Sequence, residues 1–360
     1  MQTAGRLGRL RPRLQPAGCD ALVVTNLVNI RYLTGFTGSA AMLLVKADGA
    51  LLVTDGRYAE QSRHELQAAG VEADIEIGDP ETQRRHLGAA APKGRVGLEA
   101  GSASWSLQRT LADVFEGGEL VATEGVVEDL RAVKDPGELH RMERAAGIAD
   151  QALAQIRTTL TDLPTEREFG LELDFRMRRL GARDVSFETI VASGPNGARP
   201  HARPSDRRIE PGELVVLDFG ALVDGYHSDM TRTVCIGEPT SPVLSRMVEV
   251  VADAQRAGVA AVRAGVATSE VDAACRAVIA EAGWADAFVH GTGHGVGLDI
   301  HEHPLLSRTS TAILADGFVV TVEPGVYLPE HGGVRIEDTV LVTADGCRPL
   351  THSPKDLVIA

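Results

Sequence analysis

Leu214-Val-Val-Leu-Asp218-Phe-Gly-Ala-Leu-Val-Asp224-Gly225-Tyr-His-Ser-Asp229-Met-Thr-Arg-Thr-Val234 holds two strand-like runs around an Asp-Gly pair. Asp-Gly between apolar runs is a strong signal for a two-residue hairpin turn, because both turn positions need positive φ. With the turn at Asp224-Gly225, paired residues sum to 449, so Asp218 faces Thr231 and Asp229 faces Gly220. Asp218 and Asp229 then lie diagonally on one sheet face, about 7–8 Å apart at Cα. Gly220 is expected to leave room beside Asp229. Two acids at that reach suit one divalent ion, or two ions that lie about 3.5–4 Å apart. An exposed hairpin whose acids face water is the competing reading. It is weakest for Asp218, which four apolar residues precede, whereas Asp224 reads as a turn residue.

Three further segments of the same region carry the metal-site reading. Phe288-Val-His290-Gly-Thr-Gly-His294-Gly-Val-Gly-Leu-Asp-Ile-His301-Glu-His303-Pro304 places four histidines in fourteen residues, interleaved with four glycines. Histidine is the commonest metal ligand and the usual acid–base group near neutral pH. Glycine lets backbone approach a ligand closely or take positive φ. Phe318-Val-Val-Thr-Val-Glu323-Pro324-Gly325 ends an apolar strand on an acid. In Gly332-Gly333-Val-Arg335-Ile-Glu337-Asp338-Thr-Val-Leu-Val, strand period puts Arg335 and Glu337 on one face. A carboxylate inside an apolar strand is expensive unless paired or metal-bound. Each residue also has a plainer reading: a histidine capping a turn, Glu323 as a strand end, Glu337 paired with Arg335. Two Asp, one His and two Glu in one domain favour a hard or borderline ion such as Mn²⁺, Zn²⁺, Co²⁺ or Fe²⁺.

The rest of the chain frames this region. At 360 residues, 44% hydrophobic and 24% charged, it reads as a folded chain of two domains. A net charge of −14 with 4% aromatic residues disfavours nucleic acid and anionic lipid as partners. No signal-peptide core follows the basic start and no 18-residue apolar run occurs, which points to the cytoplasm and away from membranes. The four cysteines are far apart and read as free thiols. Residues 1–130 alternate strands and helices as a small α/β domain. Asp135-Pro136-Gly137-Glu138 then reads as a capped helix start. Leu139, Met142, Ala146, Ala149, Leu153, Ile156 and Leu160 form one apolar helix face behind it. Thr165 to Glu168 opens a second helix that Gly181 closes. Residues 135–360 read as an α+β domain.

The series Asp218, Asp229, His294, Glu323, Glu337 resembles the dinuclear metal site of the pita-bread metallopeptidases, which include methionine aminopeptidase, aminopeptidase P and prolidase. Ala192-Ser-Gly-Pro-Asn-Gly-Ala-Arg-Pro-His201-Ala-Arg-Pro-Ser-Asp206 is similar to the segment that delivers a substrate-side histidine in the Xaa-Pro branch. Asn26-Leu-Val-Asn-Ile-Arg-Tyr-Leu-Thr-Gly-Phe-Thr-Gly38 and Thr54-Asp-Gly-Arg-Tyr58 look like the creatinase/prolidase N-terminal domain. The resemblance implies an α+β fold: a C-terminal pita-bread catalytic domain over 135–360, preceded by a smaller α/β creatinase/prolidase-like domain over 1–130.

It also implies roles. Asp218 would chelate one ion, His294 and Glu323 the other, and Asp229 and Glu337 would bridge two divalent ions per subunit, with Mn²⁺ first and Zn²⁺, Co²⁺ or Fe²⁺ as the other candidates. A water activated between them would attack, with Glu323 shuttling its proton. His201 and His301 would contact the scissile amide and the developing oxyanion, Arg335 would orient the carboxylates, and His290 would lie near the leaving-group pocket. The implied substrates are short proline-containing peptides and the implied assembly a homodimer. The resemblance leads to a metal-dependent Xaa-Pro aminopeptidase, with an Xaa-Pro dipeptidase (prolidase) as the alternative. A creatinase-like hydrolase or a non-catalytic peptide-binding module stands further back, since creatinase lacks the metal ligands that this chain keeps.

Overall fold

The computed structural model describes residues 3–115 and 117–360 and divides into two units, one ending at Arg131 and the other running Ala132–Ala360. In the first, the apolar runs near the start form the strands Ala21–Val24, Ala41–Lys46 and Ala50–Thr54. They sit at the middle of a six-stranded sheet flanked by Asp74–Ile77 on one side and by Arg95–Glu99 and Glu119–Thr123 on the other. Ala41–Lys46 runs antiparallel to both its neighbours, while the outer strands pair in parallel. The stretch that starts at Asn26 is a short helix, Leu27–Thr34, capped by the Asn26 side chain and ended by Gly35 at φ 78°. Its Asn29 bonds the buried Glu99 carboxylate at 2.6 Å, which also accepts from the Thr25 and Asn26 amides. This stretch therefore ties the end of Ala21–Val24 to the end of its neighbour Arg95–Glu99.

The second unit repeats one plan twice. Helix Pro136–Ile156 begins at a capping box in which Asp135 and Glu138 satisfy each other's backbone donors. Helix Glu166–Arg179 begins the same way at Thr165 and Glu168, and Gly181 follows it at φ 107°. Met177, Leu173, Phe169, Leu153, Ala149 and Ile156 pack these helices onto a four-stranded sheet. The sheet's order is Val358–Ile359, Met230–Ile236, Leu214–Phe219, Ile190–Ser193. Helices Pro242–Ala261 and Thr268–Glu281 cover a second sheet in the same manner. Its order is Glu302–Leu306, Gly293–Gly295, Val319–Val322, Asp338–Val342, Cys347–Pro349. Burying an aliphatic side chain in such a layer is worth about 1.5–3 kcal/mol, so the helix faces hold each half together. All four cysteines are free thiols.

The hairpin turns where the Asp-Gly pair requires it. Asp224 and Gly225 both have positive φ (48° and 82°), and Leu222 pairs with His227, Val223 with Tyr226 and Thr231 with Asp218. The ladder breaks between these segments, and the tip joins Asp184–Val185 in a separate three-stranded sheet. Gly220 explains the break in a way the sequence reading did not anticipate. A Cβ there would stand 1.9 Å from the Ser228 carbonyl oxygen, so the glycine admits backbone, not the Asp229 side chain.

Candidate metal centre

In the second unit, Asp229, Thr231 and Thr233 on and before the strand Met230–Ile236 meet Arg335, Glu337 and Thr339 on the run from Gly332–Arg335 into Asp338–Val342. The Glu337 amide donates to the Thr231 carbonyl at 3.1 Å, and the Thr339 hydroxyl donates to the Asp229 carbonyl at 2.7 Å. Thr233 and Arg335 exchange two more bonds, of 2.8 and 3.1 Å. This seam brings together acids that lie far apart in the chain. Asp218, Asp229 and Glu337 each offer a carboxylate oxygen, all within 4.8 Å of one another. His294 Nε2 stands 3.6 Å from Asp229 and 3.3 Å from Glu323.

The surroundings set the direction of each charge. Burial, then repulsion from Glu337, Asp218 and Glu323, pushes the Asp229 carboxyl well above the usual range. Burial followed by Glu323 and Asp218 does the same to Glu337. Asp218 is also raised, by burial, against the pull of Arg335. Burial would raise Glu323 too, but the hydrogen bond and charge of His294, with His290 and Arg335, hold it down at about 2. Asp218 Oδ1 and Glu337 Oε1 are buried without a hydrogen-bond partner. An ionised carboxylate oxygen is acceptor-only, so unpartnered buried oxygens amid like charges fit a cation and little else. Histidine and four carboxylates are a donor set for hard or borderline divalent ions. The residues fit the metal the sequence implied.

The neighbouring groups fix which atoms remain open. Arg335 donates to Asp218 Oδ2 at 2.5 Å, to the Tyr327 hydroxyl at 2.7 Å and to Thr231 Oγ1 at 3.1 Å. Thr231 in turn donates to Glu337 Oε2 at 2.7 Å. Arg335 therefore pairs with Asp218, and the simple Arg335–Glu337 ion pair weighed from the sequence does not form. His294 Nδ1 lies 2.9 Å from the Gly295 carbonyl, which turns Nε2 toward Asp229 and Glu323.

A cavity of about 590 Å³ opens over these groups, lined also by His201, His290 and His301. The His301 ring stands edge-on to His294 at 4.4 Å between centroids. Burial lowers the pKa of His301, with His294 adding to the effect, and burial likewise lowers that of His290. His290 is tied at both nitrogens, to the Gly291 carbonyl at 2.8 Å and the Tyr327 hydroxyl at 2.9 Å. Tyr327 was not singled out from the sequence, although its place in the hairpin Gly325–Leu328 with Gly332–Arg335 puts it on the Arg335 face. Also unforeseen are Asp272 and Arg276, which bond Thr292, Phe288 and His290 and so hold the segment leading to His294. The buried pair Lys134–Glu302 at 2.8 Å does the same beside His301.

Two family profiles match: Metallopeptidase family M24 over residues 140–344, and the Creatinase/Prolidase N-terminal domain over residues 6–133. The chain belongs to metallopeptidase family M24. This M24 chain is 35% identical to an Xaa-Pro dipeptidase of Pyrococcus furiosus, over 98% of its own length and 99% of that relative. Among solved structures it is similar to the Xaa-Pro dipeptidase from Bacillus anthracis, with a TM-score of 0.93 and 38% identity over 99% and 100% of the two chains. It is also similar to an X-Pro aminopeptidase from Thermotoga maritima, with a TM-score of 0.85 and 33% identity over 96% and 99%. The α+β architecture expected from the sequence is thus that of M24 metallo-exopeptidases. Between the two activities weighed, the named relatives back the dipeptidase alternative better than the aminopeptidase reading.

Proposed function

We propose that this protein is an Xaa-Pro dipeptidase using two divalent ions held by Asp218, Asp229, His294, Glu323 and Glu337. The observation that carries the metal reading is the convergence of these five side chains, with two buried carboxylate oxygens left unpartnered. Dipeptidase rather than aminopeptidase rests on the relatives named above. Divalent ions bound there supply Lewis acidity, which polarises the peptide carbonyl and makes water a nucleophile near neutral pH.

The protein's own groups do the rest. Arg335 occupies Asp218 Oδ2 and so leaves Oδ1 for the ion. Thr231 does the same for Glu337, holding Oε2 while Oε1 stays open. Glu323, beside His294 at 3.3 Å, would accept the proton of the attacking water. His301, kept neutral, donates a hydrogen bond to the carbonyl oxygen as negative charge develops, and His201 approaches the same amide from another segment of the cavity lining. A donor of that kind is worth roughly 10²–10³ in rate. Phe187, Ile190, Ile300 and Leu305 line the cavity and offer an apolar wall to a pyrrolidine ring.

The carboxylate-rich donor set supports Mn²⁺ as the working ion. The four free thiols suit a reducing cytoplasm, and the resemblance supports a homodimer, which size-exclusion chromatography tests. For the activity, metal-stripped protein is assayed on Ala-Pro and Ala-Pro-Ala with and without Mn²⁺, beside Asp229→Ala. Mn²⁺-dependent release of alanine from Ala-Pro alone is the expected result. Equal cleavage of both peptides turns the reading to an aminopeptidase, and silence on both with metal bound rejects a proline peptidase.

A further inference from the structure

A dipeptide differs from a longer peptide in carrying a free carboxylate directly on its second residue, and a cationic side chain in the site is a direct way to select for it. Among the described residues that line the cavity, two carry a permanent positive charge, Arg335 and Arg203. Arg335 is buried and fully engaged by Asp218, Tyr327 and Thr231. A substrate group would have to displace the very bonds that orient the acids. Arg203 is placed differently. It follows His201 by two residues at the rim, its side chain is 82% exposed, and it faces Glu188 at 3.1 Å, itself 64% exposed. An ion pair that open to water contributes little to folding, so both partners are free to exchange.

We infer that Arg203 is the group that recognises the free carboxylate of the substrate's proline, and that Glu188 competes with the substrate for it. This rests on the dipeptidase reading and adds to it the residue that would set the length preference. The planar guanidinium presents paired donors that match a carboxylate, and its place two residues beyond His201 ties carboxylate binding to the segment that approaches the scissile amide. Glu188 imposes the selectivity from the other side. It neutralises Arg203 when no carboxylate is present and repels a misplaced one.

The test compares Ala-Pro with its C-terminal amide, which has the same scissile bond and no carboxylate, on Mn²⁺-loaded wild type, Arg203→Met, Arg203→Lys and Glu188→Gln. A charge-assisted pair in so open a setting is worth about threefold in affinity. Arg203→Met is therefore expected to raise KM for Ala-Pro about threefold with kcat held, and to leave the amide unchanged. Arg203→Lys should recover part of the loss. Glu188→Gln should move KM for Ala-Pro in the opposite direction. Loss of the same size on both substrates, or none on either, overturns the inference while wild-type turnover of Ala-Pro leaves the dipeptidase reading standing. Failure of wild type on Ala-Pro removes both.

Discussion

Replacing Asp229 with asparagine should stabilise the metal-free protein at pH 8 while abolishing its response to metal. Asp229 and Glu337 offer oxygens within 4.8 Å of each other. Two unit charges at that distance repel by about 3.5 kcal/mol at an effective dielectric of about 20. The isosteric amide removes this repulsion but leaves a buried polar group imperfectly matched, at about 1–3 kcal/mol. At pH 8 the balance is a gain of about 0.5–2.5 kcal/mol, or about 1–10 °C in melting temperature for a domain of this size. The pH dependence follows from the raised carboxyls of Asp229 and Glu337. The metal-free fold binds more protons than the unfolded chain, so its stability falls as pH rises above the ordinary carboxylate range. Protonation relieves the repulsion as the pH is lowered, so the advantage of the asparagine should shrink toward acid pH. Mn²⁺ at a hundred times its dissociation constant adds about 2.7 kcal/mol to wild type and far less to the variant. Scanning calorimetry of stripped protein at pH 5 and pH 8, with and without Mn²⁺, reads all of these. An Asp229→Asn protein that melts below wild type by the same margin at both pH values refutes the electrostatic account.

Two other groups have measurable consequences. Lys134 and Glu302 form a pair whose side chains are 1% and 6% exposed, and Glu302 also accepts the Asp299 amide beside His301. Lys134→Met should cost about 3–5 kcal/mol in urea unfolding and the double variant Lys134→Met/Glu302→Leu should regain most of it; equal losses in both would mean the charge pairing is not what matters. Tyr327→Phe removes the hydroxyl shared by Arg335 and His290, and should lower kcat about 10-fold with metal content unchanged by atomic absorption. Unchanged kcat would show that Arg335 holds Asp218 without it.

What the sequence could express was whatever two or four neighbouring residues decide. The Asp224-Gly225 turn sets the hairpin register, and each capping box names a helix start, because both depend on local φ/ψ and on donors a few residues apart. The alternation along residues 325–335 held the same kind of signal for Tyr327 and Arg335, since a two-residue period puts both on one face. Other features lay beyond such rules. Thr231 meets Glu337 across 106 positions, and no local pattern marks which threonine will face which acid. The break at Gly220 needs the carbonyl of Ser228 on the opposite strand, which exists only once the hairpin has closed. The two sheets likewise meet through side chains that read, in isolation, as ordinary strand threonines.

The histidine-rich segment shows how packing turns one of four histidines toward the acids. None of Gly291, Gly293, Gly295 and Gly297 takes positive φ, contrary to one use the sequence suggested for them. Instead a Cβ at Gly293 would lie 2.0 Å from the Thr321 carbonyl oxygen, and one at Gly295 would lie 2.4 Å from that of His303. Neighbouring strands close in on that face so tightly that no side chain can stand there. His294 lies between the two glycines and must project to the other face, where Asp229 and Glu323 are. Its Nδ1 is held by the Gly295 carbonyl, so the nitrogen turned to the acids is Nε2. His290 sits on the same segment and lines the same cavity, but Tyr327 and the Gly291 carbonyl occupy both its nitrogens. Which histidine turns a free nitrogen to the acids is therefore set by strand packing on one face and by the partner of the second nitrogen, and neither is written in the spacing of the histidines.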